Sequence, residues 1–140
     1  MNIANSVRIY PYCEIKGNVT IGEKSIVGSH SAILGDVEIG KNVRIQSFAF
    51  IPSGVTIEDN VFIGPRVTIL NDKYPPSKGK HWHKVRIMEG AVIGGNVTIL
   101  PGVIIYKNAK VGAGAVVTKD VYEDETVIGN PARVWVQVKT

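Results

Sequence analysis

Residues 37–70 read VEIGKN VRIQSF AFIPSG VTIEDN VFIGPR VTIL, and the third letter of every group is isoleucine. Extended in both directions, the same position carries Ile9, Ile15, Ile21, Val27 and Ile33 before this stretch, and Ile87, Ile93, Ile99, Ile105, Val111 and Val117 after a break. That makes seventeen aliphatic third positions, fourteen of them isoleucine. A period of six fits neither the helical 3.6 nor the alternation of a long strand. It fits short strands joined by regular corners. First positions are small or β-branched, Cys13 among them as a packing residue, and suit a narrow inward slot beside the bulkier third residue. Sixth positions are often Asn or Gly (Asn18, Asn42, Gly54, Asn60, Gly90, Asn96, Gly102, Asn108, Gly114), residues that tolerate the positive φ of a tight corner. Three sides close a coil of 18 residues, so the sequence predicts an all-β parallel β-helix of nearly six triangular coils in one domain over 1–140. Stacked at about 4.8 Å, the coils pair their strands with the coils above and below, and the isoleucines become internal ladders.

Composition agrees with one globular domain: 44% of 140 residues are hydrophobic and 20% charged. A single cysteine forbids an intramolecular disulfide and is compatible with a reducing compartment. The N-terminal MNIANSVRIYPYCEIKGN lacks the layout of a signal peptide, and no run of eighteen apolar residues occurs, so the expectation is a cytoplasmic protein without a membrane partner. The net charge of +4 mildly favours anionic ligands. The basic residues are dispersed and no nucleic-acid-binding motif is present, which argues against a nucleic-acid partner.

The repeat stops at ILNDKYPPSKGKHWHKVRI, residues 69–87. Residues 73–84 equal two hexads in length, yet they put Pro75 and His81 where an aliphatic belongs. Two adjacent prolines withdraw backbone donors from any ladder, so 73–84 should leave the prism as a loop. A rigid scaffold with one long polar loop is a common way to build a site. Asn71, Asp72, Tyr74, His81, Trp82 and His83 gather donors, acceptors and stacking faces there. The last segment, 121–140, is expected to fold over the open end of the coil as a cap. Outward second positions are mostly polar, but Ile26, Phe50, Phe62, Val92 and Ile104 are not, and Phe48 lies near Phe50, which points to burial between subunits.

The hexads, together with VTILPGVIIYKNAKVGAGAVVTKDV (97–121) and VIGNPARVWV (127–136), resemble the left-handed parallel β-helix acyltransferases of the hexapeptide-repeat class over about residues 7–136. The resemblance implies a left-handed coil, a homotrimer with active sites between neighbouring prisms, and acetyl-CoA as acyl donor. Within that class LNDKYPPS (70–77) is similar to an NDxYPR-like stretch of N-acetyltransferases that act on nucleotide-linked amino sugars, although Pro76 stands where many carry arginine. By that likeness Asn71 would hold the sugar near its reactive amine. Asp72 would either add a hydrogen bond or complete a corner. Tyr74 and Trp82 are candidate substrate contacts, and His81 and His83 candidate acceptors of the amine proton.

AVIGGNVTILPGV (91–103) resembles galactoside and serine O-acetyltransferases, which carry a catalytic histidine where this chain has Asn96. A hydroxyl generally needs a general base, whereas a neutral amine attacks a thioester unaided, so the missing histidine favours an amine acceptor. For the donor, the resemblance sets the pantetheine arm against the backbone of Gly112, Ala113 and Gly114, phosphates near Lys119 and Arg133, and the adenine near Pro131. The γ-class carbonic anhydrases share the coil, but their zinc-ligand spacing is not reproduced by His30, His81 and His83, and no metal is expected. Two rivals stay open: a sugar O-acetyltransferase with a loop histidine as base, and a non-enzymatic or metal-binding hexapeptide-repeat module.

Overall fold

In the computed structural model, which describes residues 1–136, twenty strands of two or three residues form three sheets. The sheets are the faces of a triangular prism. Face I runs through Asn2–Ile3, Val19–Ile21, Val37–Ile39, Val55–Ile57, Val85–Ile87 and Ile104–Ile105. Face II begins at Arg8–Ile9 and ends at Arg133–Val134; face III runs from Glu14–Lys16 to Val116–Val117. The chain visits the faces in turn and pairs in parallel with residues eighteen positions on: Val19 with Val37, Ile26 with Arg44, Ile33 with Ile51. This is an all-β parallel solenoid, consistent with the left-handed β-helix that the hexads resemble.

The third-position isoleucines stack as the period requires. Ile33, Ile51, Ile69 and Ile99 are completely buried. Register pairs Ile33 with Ile51 and Ile69 with Ile99. Each such burial contributes roughly 1.5–3 kcal/mol. Ile15 is only half-buried and Ile9 remains 41% exposed, because no coil lies beneath the first one. Two first positions are polar and buried, and both are satisfied: Ser25 Oγ donates to Gly40 O at 2.7 Å and Ser31 Oγ to Gln46 O at 3.2 Å. Cys13 packs against the core and donates to Gly28 O.

The coil is longer than the hexads predict at both ends. Asn2 and Ile3 pair with Thr20 and Ile21, so the repeat begins one hexad before Val7. At the other end Val121 bridges Ile105 and Val127 pairs with Val111, each sixteen residues on. That two-residue shortening hides a partial seventh coil from a strict six-letter reading. The cap over 121–140 thus starts as a continuation of the prism, and then Arg133–Val134 turns back antiparallel along Thr126–Ile128 and covers the end of face II. Residues 137–140 of that segment lie outside the described residues.

Corners have left-handed backbone as expected, with one shift: Gly17 rather than Asn18 takes the positive φ, and any Cβ there would meet the backbone of Gly35. The edge between faces II and III departs further, because Tyr12, His30, Phe48 and Arg66 all adopt positive φ where Asn or Gly would be unstrained. Their side chains form a column. His30 stacks on Phe48 at 4.8 Å and meets Tyr12 at 5.1 Å, and the Arg66 guanidinium lies over Phe48.

Candidate functional site

The break sits on the edge between faces III and I. Val55 pairs with Val85, thirty residues on, so the loop inserts twelve residues without slipping the register. Its neck is a short antiparallel ladder. His83 N–H donates to Asn71 O at 2.7 Å, Lys73 N–H to His81 O at 3.0 Å, and Asp72 bridges Trp82. Asn71 Nδ2 donates to Ser53 O on the coil below at 2.9 Å, which ties the neck to the prism. Its amide oxygen has no protein partner among the described residues.

Asp72 is the internal brace of the loop. Its carboxylate accepts the N–H of Ser77 at 2.8 Å and of Tyr74 at 3.2 Å. Partial desolvation pushes its carboxyl upward, but the hydrogen bonds from Ser77, Tyr74 and Trp82 outweigh it and hold the group below its ordinary value of 3.8. The residue therefore closes a loop rather than a simple corner, and each carboxylate oxygen keeps a lone pair beyond its one backbone donor.

The remaining loop residues divide into two groups. Tyr74 and His81 meet edge to face at 5.3 Å, with Lys73 over the Tyr74 ring, out on the loop. Trp82 and His83 face the prism and line a cavity of about 460 Å³ beneath the loop, whose other walls include Asn18, Asp36, Glu38 and Ser53. A larger groove of about 830 Å³ opens on the same edge above the loop, lined by Pro101, Gly102, Lys119, Asp120, Tyr122 and Arg133 among others. The two meet at His83: a Cβ on Gly102 would lie 3.6 Å from His83 Cβ and 3.8 Å from its Nδ1.

Lys119 and Arg133 therefore share one groove, whose lining also holds the carboxylates of Asp120 and Glu125. Gly112, Ala113 and Gly114 do not join them. They turn the chain between Lys110–Val111 and Val116–Val117, on the edge between faces II and III. Pro131 lies in the turn between Thr126–Ile128 and Arg133–Val134. Asn96 is an exposed corner with φ 59° on the edge that also carries Gly114. Sequence reasoning missed Asp36, Glu38 and Ser53, which reach the site only because the coil brings residues eighteen apart side by side. It also missed Asp120, whose carboxylate accepts the N–H of Ile104 at 2.9 Å and shapes the upper groove.

A family model described as bacterial transferase hexapeptide (six repeats) matches residues 1–35, 36–71 and 84–119, omitting most of the loop. The chain belongs to this hexapeptide-repeat transferase family. A galactoside O-acetyltransferase from Lactococcus lactis is 40% identical over 76 residues, covering 50% of this chain and 37% of that protein. A serine acetyltransferase from Buchnera aphidicola is 38% identical over 77 residues, covering 53% and 28%. This hexapeptide-repeat chain thus spans about a third of the length of those relatives.

Among solved structures, a histidine-to-alanine variant of GDP-perosamine N-acetyl transferase from Caulobacter crescentus, in complex with CoA and GDP-perosamine, superposes with a TM-score of 0.72 at 25% identity. It covers 96% of this chain and 56% of that one. A hexapeptide-repeat acetyltransferase from Vibrio cholerae, complexed with acetyl coenzyme A, gives a TM-score of 0.73 at 28% identity, covering 86% of this chain and 71% of that one.

Proposed function

We propose that this hexapeptide-repeat protein is an acetyl-CoA-dependent N-acetyltransferase whose acceptor is the amine of a nucleotide-linked amino sugar. The observation that carries the reading is the shared edge: a polar cavity under the loop and a groove with Lys119 and Arg133 above it meet at His83. Lys119 and Arg133 offer charge to the donor's phosphates in the upper groove, where Asp120 is turned to the Ile104 N–H and Glu125 also lines the wall, and a sugar suits the lower cavity. The likeness to the CoA and GDP-perosamine complex, which extends over nearly the whole chain, supports the same assignment.

The neutral amine attacks the thioester carbonyl, a C–N bond forms, the C–S bond breaks, and CoA leaves as the thiolate that takes up a proton. The amine gives up its proton to His83 or to solvent. Of the acceptor contacts Trp82 lines the lower cavity, whereas Asn71, with its free amide oxygen, and Tyr74 lie outside both linings and would meet the part of the acceptor that extends beyond them. His81, held edge-on to Tyr74 and lining neither cavity, is the less suited of the two histidines.

The position of Gly112, Ala113 and Gly114 supports a homotrimer. In a head-to-tail ring one edge of each copy meets a different edge of the next, so these residues would complete a neighbour's donor groove, with Pro131 beside the adenine. Of the outward apolar residues, Ile26, Phe62 and Val92 lie on face II and Phe50 on face III, flanking that edge; Ile104 lies apart on face I. A cytoplasmic location belongs to the same reading.

The rival with a specific observation behind it is sugar O-acetylation, favoured by the 40% identity to a galactoside O-acetyltransferase and by an exposed His83 that could act as base. Thiol release across a panel of amino-sugar nucleotides and plain sugars decides between them. The N-acetyl reading expects release only with amines, and small losses for His81→Ala and His83→Ala. Turnover of sugars without an amine, or a loss of about 10²–10⁴-fold in either variant, would favour the rival.

A further inference from the structure

The cavity under the loop has a charge that the nucleotide part of such an acceptor would not choose. Asp36 and Glu38 both line it, and neither carboxylate is in an ion pair among the described residues. Lys84 is the one cation of that lining. Trp82, half exposed, presents its indole to the same space, and Asn18 and Ser53 add hydrogen-bonding groups. A diphosphate would meet two carboxylates for one ammonium here. A sugar ring carrying a protonated amine would meet an aromatic face, hydroxyl and amide partners, and opposite charge.

We infer that this cavity is a recognition subsite for the ammonium form of an amino sugar, with Asp36 and Glu38 as its charge readers and Trp82 as its stacking face. The inference rests on the acetyl-transfer reading for what happens next, but not for the binding itself. It also explains discrimination. Substrate enters charged, and the acetylated product is neutral and loses the attraction. Pairing with the carboxylates keeps the proton on the amine, so the subsite gains affinity and moves the pH at which the amine becomes reactive upward.

The test uses the full chain in a Trp135→Phe background, so that Trp82 is the one tryptophan left to report. The probes are the methyl glycosides of glucosamine, of N-acetylglucosamine and of glucose. The amine should bind about five- to tenfold more tightly than either neutral probe, the range expected from two solvent-screened charge contacts, and added salt should weaken the preference. Asp36→Asn combined with Glu38→Gln should abolish the preference while leaving melting unchanged. With the amino-sugar nucleotide as substrate, that double variant should raise KM and shift the rising limb of the pH profile to lower pH.

Equal binding of all three probes, or a preference that survives the double variant, would overturn the subsite. The two readings fail separately. Normal thiol release with an unaltered KM and pH limb in the double variant sinks the subsite and spares acetyl transfer. Selective amine binding in a protein that releases no thiol with any acceptor does the reverse.

Discussion

Two edges of one prism solve the same geometric problem in opposite ways. Between faces II and III the chain turns through Tyr12, His30, Phe48 and Arg66, and strained corners are held by rings stacked on one another. Between faces III and I the lower corners are turned by glycines, and the fourth coil leaves the prism altogether for twelve residues. The first edge fills its own surface with side chains. The second leaves two cavities, one above and one below the loop. A coil that repeats every eighteen residues offers the same backbone at every level, so what differs is the side chains and the length of the corner. The proposed site lies where the corner is lengthened, and the stacked rings lie where it is not.

The scaffold common to both edges should show the largest effect when damaged. Ile51→Asp buries an unpaired carboxylate at a position with no solvent exposure, at a cost of about 3–5 kcal/mol. Thermal melting should show the variant unfolded or far less stable; unchanged melting would break the ladder on which both edges depend.

The brace of the lengthened corner comes next. Asp72 has a folded-state value below 3.8, so its contribution to loop order is fully present above the unfolded value and disappears as pH falls through the lower folded one. The loop order that Asp72 supplies should persist down to about pH 4 and be lost only in stronger acid, read as an acid step in Trp82 fluorescence that Asp72→Asn lacks, in a Trp135→Phe background. Asp72→Asn, which replaces one acceptor by a donor, should speed tryptic cleavage at Lys78 and Lys80 at neutral pH. Wild-type resistance in that variant would show that the loop is held by something else.

The stacked edge should give the smallest change. Phe48→Ala removes the ring beneath Arg66 and beside His30 but keeps a residue with φ near 65°, so it should cost about 1 kcal/mol in chemical denaturation. Phe48→Gly should recover part of that loss by relieving the backbone. A Phe48→Ala variant as stable as the parent would mean that the column is incidental to the edge.

How far the sequence could be read follows from what each feature depends on. Ile33, Ile51 and Ile69 announce the prism because one side chain in six must point inward, and that is a local property. The loop was legible for the same reason, since Pro75 and His81 violate it. Val121 and Val127 were not, because a coil sixteen residues long breaks the count without breaking the pairing. Asp36, Glu38 and Ser53 looked like ordinary corner and outward positions. Only stacking sets them beneath Trp82. The part Asp72 plays in the loop was not legible either, because a carboxylate at the neck of a loop finds the backbone N–H groups of its own turn, Tyr74 and Ser77. The aromatic column was invisible because stacking across eighteen residues leaves no trace in a hexad.

The central claim is that the lengthened corner is what turns a hexapeptide coil into an acceptor site. Excising residues 73–84 joins Asp72 to Val85 and restores the six-letter period, VTILND followed by VRIMEG. The measurement is CoA binding by calorimetry and thiol release with an amino-sugar nucleotide, both on this shortened protein. The account predicts a folded protein that still binds CoA through the upper groove, where Lys119 and Arg133 are untouched, and whose transfer to the amine falls by at least about a hundredfold, in the range set by losing substrate positioning. A shortened protein that folds and transfers acetyl at the rate of the parent would contradict it.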